Sequence, residues 1–133
     1  MLILLSLLTI LSNNPSIKIE NAWVRPAGKG MNSALYFNIS STNGKADVLY
    51  KVASPAAELV QMHETIDQNG LAEMKRVKSV SIPANILVEF KPGGYHVMLI
   101  KLKRDLKDGE KISFIFYFKK AGRIRVQAEV KSK

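Results

Sequence analysis

The sequence predicts a single all-β domain, an antiparallel barrel or sandwich, and three observations support this fold class. Short runs rich in Val, Ile, Phe and Tyr recur through residues 17–133, and turn-forming residues separate them. The last run, 123–131, alternates apolar and polar side chains, as a half-buried strand does. No segment carries the 3.6-residue apolar period of a long amphipathic helix. The length of 133 residues suits one domain.

Nine candidate strands follow from these runs, and glycine-containing turn signals separate several of them. Glycine favours a chain reversal because it adopts positive φ without steric cost. The turn signals in chain order are Asn43-Gly44, Asn69-Gly70, Pro92-Gly93-Gly94, Asp108-Gly109 and Ala121-Gly122. The candidate strands in chain order are 17–24, 34–39, 47–53, 58–65, 71–77, 86–90, 96–102, 111–118 and 123–131. Strands of this number and spacing are typical of sandwiches and barrels.

Residues 1–16 are predicted to be an export signal or an N-terminal apolar segment, and residues 17–133 the functional domain. The run MLILLSLLTIL has the length of a signal-peptide core and is short for a membrane span. It lacks a preceding Lys or Arg and a following A-x-A site, so a start further upstream, a retained weak anchor and a buried first strand are the alternatives. We expect an exported protein.

The sequence contains no cysteine, which restricts its chemistry. Disulfides, thiolate metal sites, a cysteine nucleophile and a lipid anchor on an N-terminal cysteine are all excluded for these residues. A blue-copper electron-transfer centre is excluded as well, because it needs a thiolate ligand.

The formal net charge is +9, from 20 Lys and Arg against 11 Asp and Glu. A positive surface favours acidic partners, yet the basic residues are spread from Lys18 to Lys133. Nucleic-acid binding would need basic residues clustered with stacking aromatics, so we expect no nucleic-acid partner. We expect a monomer without stable membrane insertion once the signal is removed.

Both histidines of the chain have a methionine nearby, which suggests a metal site. His96 and Met98 are two residues apart, so on a strand their side chains point to the same face. The turn at 92–94 places this pair near a strand end, where solvent or a partner can reach it.

The second pair, His63 and Met74, flanks the predicted turn at 67–70. A four-residue loop would put His63 directly opposite Met74, whereas a two-residue Asn69-Gly70 loop would put it opposite Arg76. Either loop keeps His63 and Met74 on one face of the hairpin. Strand parity alone does not require that the two His/Met pairs meet in space.

The chemistry of this His/Met set (His63, Met74, His96 and Met98) would be narrow. Thioether sulfur is soft and neutral, so it selects Cu(I) over Zn(II), Mg(II) or Ca(II), and imidazole also binds Cu(I). Zinc would be expected to recruit cysteine, carboxylate or a third histidine. The alternative is that these residues do not bind a metal, since methionine commonly fills protein cores. Met31 and Met62 are predicted to be such core methionines.

The spacing His63-x10-Met74-x21-His96-x-Met98 resembles the metal motif of the PCuAC-type periplasmic copper chaperones. The resemblance extends over residues 20–130. The resembling blocks are NAWVRP at 21–26, MNSALYF at 31–37, ASPAA at 53–57 with MHE at 62–64, KPGGYHVML at 91–99 and LKRDLKDG at 102–109.

This resemblance implies a cupredoxin-like Greek-key β-barrel without the cupredoxin cysteine. It implies a non-enzymatic copper chaperone that binds one Cu(I) through the His/Met set and delivers it to the copper centres of cytochrome c oxidase. A periplasmic copper buffer or resistance protein without a dedicated receiver, or a non-metal β-sandwich interaction module, are the alternatives. Of the other residues in these blocks, Trp23 is predicted to lie in the core, Tyr95 to face away from the ligands and Arg25 to be a candidate partner contact.

Overall fold

The computed structural model describes residues 16–133, which form ten strands and no helix. The all-β prediction is therefore confirmed. The strands are β1 Ile17–Val24, β2 Ser33–Ser41, β3 Asp47–Ala53, β4 Ala57–Gln68, β5 Leu71–Val77, β6 Val80–Ile82, β7 Val88–Phe90, β8 Tyr95–Leu102, β9 Lys111–Phe118 and β10 Gly122–Val130. The predicted export segment lies outside the described residues, apart from Ser16. Within the described part of the chain, no helix has the length and apolar character needed to cross a membrane.

All nine predicted strands are present, and four of them have the predicted bounds: 17–24, 47–53, 71–77 and 111–118. The prediction missed β6, because a strand of three residues is too short to show a period. The predicted strand 86–90 begins only at Val88, since Ile86 and Leu87 stay exposed beside the turn at Asn85.

The strands form one sheet in the order β5-β4-β8-β7-β2-β1-β10-β9-β3-β6. Most neighbours are antiparallel, as predicted, but β1 with β10 and β7 with β8 are parallel. The first and last strands therefore lie side by side. This all-β sheet agrees with the cupredoxin-like fold class that the resemblance implies.

The inner face of the sheet holds the apolar core. Phe37 stacks on Phe90 with ring centroids 4.3 Å apart and meets Phe116 edge-on at 4.8 Å. Alternate residues of β2, β8 and β9 point into this core, and the residues between them form the outer face. The outer face is therefore free to carry function while the inner face holds the strands together.

A bulge in β1 changes which residues face the core. Asn21 has φ of 55°, and the pairing of β1 with β2 shifts between Glu20 and Trp23. Ile17 and Val24 consequently both lie in the main core, whereas Trp23 turns to the other face. Trp23 is buried, as predicted, but it belongs to a separate outer-face cluster with Ala34 and Tyr36. The bulge decides on which face Trp23 is buried, because it reverses the alternation of β1 before this residue.

The turn between β4 and β5 is the tighter of the two predicted loops. Asn69 and Gly70 have φ of 54° and 82°, as a two-residue type I′ hairpin requires, and Gln68 pairs with Leu71. This register places His63 opposite Arg76 and Met74 opposite Thr65. The four-residue loop, with His63 opposite Met74, is therefore not formed.

Candidate metal centre

His63 and His96 face each other directly across the β4–β8 pair. Their ring centroids are 5.5 Å apart, and the rings are tilted by 66°. His96 is only 3% exposed, and His63 is half-buried. The pairing of two strands whose histidines are 33 positions apart in the chain thus creates a two-imidazole centre on the outer face.

The two methionines of the set lie on the same outer face as the histidines. Met98 is two residues from His96 and is paired with Gln61, one diagonal step from His63. Met74 is paired with Thr65, also one diagonal step from His63, and its side chain is 62% exposed. Because β4 lies between β5 and β8, the register gathers the whole His/Met set around His63.

Each imidazole has one nitrogen in a hydrogen bond and one without a partner. His63 Nε2 donates to Gln61 Oε1 at 3.0 Å, and His96 Nδ1 donates to the Gly94 carbonyl at 3.4 Å. The remaining nitrogens, His63 Nδ1 and His96 Nε2, are buried and have no hydrogen-bond partner. A buried polar atom without a partner is costly, and a metal ion would satisfy both lone pairs.

The environment of both imidazoles favours their neutral form. Burial lowers the pKa of His63, and the neighbouring His96 and Arg76 lower it further, because each would place a like charge beside an imidazolium. Burial also lowers the pKa of His96, with the Gly94 carbonyl opposing the shift. Neutral imidazole is the form that binds a metal ion.

The chemistry of the donors argues against a hard or carboxylate-rich metal site. Within residues 16–133, no group of three or more His, Asp or Glu side chains is placed to hold a metal ion. Two imidazoles with two thioethers nearby suit a soft monovalent ion instead.

The other residues singled out in the sequence have distinct places. Tyr95 stacks on Phe90 at 5.3 Å on the inner face, so it faces away from the His/Met set as predicted. Arg25 lies 5.5 Å from the centroids of both the Trp23 and Tyr36 rings. Met62 lies in the core as predicted, whereas Met31 is 61% exposed, so its assignment to the core is wrong. Met31 lies in the loop before β2, so it is not part of a strand whose alternate side chains point into the core.

Two residues of the centre were not identified from the sequence. Gln61 holds His63, and Tyr36 lies 6.4 Å from the His96 ring. The same parity that pairs His96 with Met98 places Gln61 on the face of His63, so this signal was present in the sequence. Tyr36 is brought near by the β2–β8 pairing, which has no local signal.

The Gln61 contact leads to a prediction about ligand positioning. Replacing Gln61 by alanine should weaken metal binding about 10-fold, because His63 loses the acceptor that orients its ring and leaves Nδ1 free to bind. Competition titration with a chromophoric Cu(I) chelator measures the effect. Gln127→Ala, an exposed glutamine on β10, is the matched control and should bind as the unmodified chain does. Equal affinities for both variants would show that Gln61 does not position His63.

Residues 17–130 match the LpqE-like family, whose members are described as lipoproteins. Lxx21020 of Leifsonia xyli subsp. xyli, whose name also suggests a lipoprotein, is 35% identical over 116 residues. That match covers 86% of this chain and 69% of the relative. RP573 of Rickettsia prowazekii is 33% identical over 114 residues, which cover 82% of this chain and 63% of the relative. The chain thus spans about two thirds of the length of these relatives.

Solved structures with the same fold include copper-binding domains. The copper-bound PCuAC domain from PmoF2 is 27% identical with a TM-score of 0.74, covering 89% of this chain and 94% of that domain. Apo-DR1885 from Deinococcus radiodurans is 27% identical with a TM-score of 0.70, covering 92% and 83% of the two chains. Its Cu(I) form is 28% identical with a TM-score of 0.65, covering 83% and 76%.

Proposed function

This chain belongs to the LpqE-like family, and on that basis we propose that it is a copper carrier of the PCuAC type rather than an enzyme. It binds one Cu(I) through the His/Met set and delivers the ion to the copper centres of cytochrome c oxidase. The family description as lipoproteins indicates an exported protein, and the proposed compartment is the periplasm.

One observation carries the proposal: the facing imidazoles of His63 and His96 each keep a buried nitrogen without a partner. Two methionines share their face, one step away along the neighbouring strands. Neutral nitrogen and thioether donors are the ligands that favour Cu(I), and the solved relatives in copper-bound and Cu(I) form share this fold.

The arrangement suits a carrier that releases its ion. Met74 is 62% exposed and lies on β5, an edge strand of the sheet, so an incoming donor can approach beside it. His96 is buried and anchored by Gly94. Exchange is therefore expected to begin on the exposed Met74 side, with His96 leaving last. A receiving site built with cysteine thiolates is softer and anionic, and it should take the ion thermodynamically.

The test measures binding and transfer with purified protein in the absence of oxygen. Titration against a Cu(I) chelator should give one tightly bound Cu(I) per chain, with Zn(II) bound far more weakly. Cu(I)-loaded protein is then mixed with an excess of the copper-free copper domain of cytochrome c oxidase, and the ion should move to that domain. Retention of copper at equilibrium would favour the buffer function, and absence of Cu(I) binding would favour the interaction module.

A further inference from the structure

A basic crevice lies beside the candidate metal centre, where β3 faces β4 and β5. It has a volume of about 270 Å³. Its lining includes Lys51, Arg76 and Lys78, together with Tyr50 and Gln61, and no acidic side chain. Positive charges from β3, from β5 and from Lys78 just after β5 thus converge on one concave surface.

These three cations lack acidic partners in the described part of the chain. The ion pairs of residues 16–133 join Lys18 to Glu20, Lys91 to Glu89, Arg104 to Glu110 and Lys131 to Glu129, all away from the crevice. Lys51 contacts the Tyr117 ring, with Nζ 5.1 Å from its centroid, which leaves its charge uncompensated. Like charges held together without counter-charges destabilise the free protein slightly and favour an anionic partner.

The crevice is directly connected to the metal centre. Arg76 is paired with His63 across β4–β5, and Gln61, which also lines the crevice, accepts the His63 hydrogen bond. Arg76 follows Met74 by two residues on the same face of the edge strand. A partner seated in the crevice would therefore lie next to the exposed methionine and the His63 ring.

We propose that the crevice of Lys51, Arg76 and Lys78 is the docking site for a carboxylate-bearing surface of the protein that exchanges copper with this chain. The proposal rests on the carrier function and names its partner by chemistry. A concave site fits a protruding acidic side chain or loop of a protein better than the flat face of a membrane. Docking there brings the donor groups of the partner to the edge at which exchange is expected to begin. Charge complementarity of this kind accelerates association and sets orientation.

The test uses hexaglutamate as an acidic probe and nuclear magnetic resonance of the 15N-labelled chain, copper-free and Cu(I)-loaded. Amide shifts should centre on 50–52, 60–62 and 76–78, the residues that line the crevice, and should weaken with added salt. The double variant Lys51→Gln/Lys78→Gln should bind the probe about three- to tenfold more weakly, the effect expected for two exposed charges. Lys103→Gln/Lys107→Gln removes the same charge from exposed positions that do not line the crevice and should bind as the unmodified chain does.

Three results would overturn the proposal. The first is a set of shifts spread over all basic residues, and the second is equal weakening by the two double variants. The third is that the double variant Lys51→Gln/Lys78→Gln loses more binding to vesicles of phosphatidylglycerol and phosphatidylcholine than to hexaglutamate. That result would assign the crevice to a membrane surface. Cu(I) affinity is measured on the same samples and should be unchanged in both variants. Failure of the carrier function would show as absent Cu(I) binding by the unmodified chain, and failure of the docking site would leave that binding intact.

Discussion

Replacing His96 by alanine is expected to lower Cu(I) affinity by more than about 100-fold. Losing a residue that only hydrogen-bonds to a metal ligand costs roughly 10–100-fold in affinity, and losing the ligand itself should cost more. His96 presents a buried Nε2 without a partner, and Gly94 holds the ring in place. No other histidine is available to take its place, because the chain has only His63 besides. Competition titration with a chromophoric Cu(I) chelator in the absence of oxygen measures the loss.

The control separates loss of a ligand from loss of the fold. His96 points to the outer face of β8 rather than into the phenylalanine core, so the variant should keep its far-ultraviolet circular dichroism spectrum and a cooperative unfolding transition. Met31→Leu removes an exposed thioether outside the His/Met set and should leave the affinity unchanged. A folded His96→Ala protein that bound Cu(I) as tightly as the unmodified chain would remove His96 from the proposed site.

Acidification is expected to release Cu(I) steeply, but only below the usual titration range of histidine. An imidazole must lose its proton to bind, and the pKa values of His63 and His96 both lie below the ordinary value of 6.5. Affinity should therefore stay nearly constant as pH falls from 7.5 to 6.5. Below the pKa values of the two histidines, it should fall about tenfold per pH unit for each one that takes up a proton. Met74 and Met98 carry no proton, so weak binding should persist in acid.

Affinity measured from pH 7.5 to 4 tests this expectation, and a flat profile would show that the histidines are not ligands. The copper-free protein gives an independent check. Because the folded pKa values are lowered, the unfolded chain binds more protons below pH 6.5. The stability associated with the neutral histidines is present above 6.5 and declines as pH falls below it. Denaturant unfolding of His63→Ala and His96→Ala should show a smaller decline than the unmodified chain.

The strand pattern of this protein is largely local, and for that reason it was predictable. Alternation of apolar and polar residues reports which residues share a face, and four strands have the predicted bounds. Where a bulge interrupts the alternation, as at Asn21, the pattern no longer reports the face, and only the structure places Trp23 in the outer-face cluster. A strand as short as β6 carries no detectable period and was missed.

For the candidate site too, some features follow from the local sequence and others only from the tertiary structure. The sequence by itself determined the donor types, the absence of thiolate, and the sharing of a face by His96 with Met98 and by His63 with Met74. The tertiary structure decided that β4 pairs with β8, which sets His63 opposite His96. It also decided that Gln61 and the Gly94 carbonyl each accept a hydrogen bond from one ring nitrogen of these histidines. Face parity depends on the two-residue period of one strand and can be counted along the chain. The choice of neighbouring strand depends on the packing of the whole sheet around the phenylalanine core, and no local pattern specifies it.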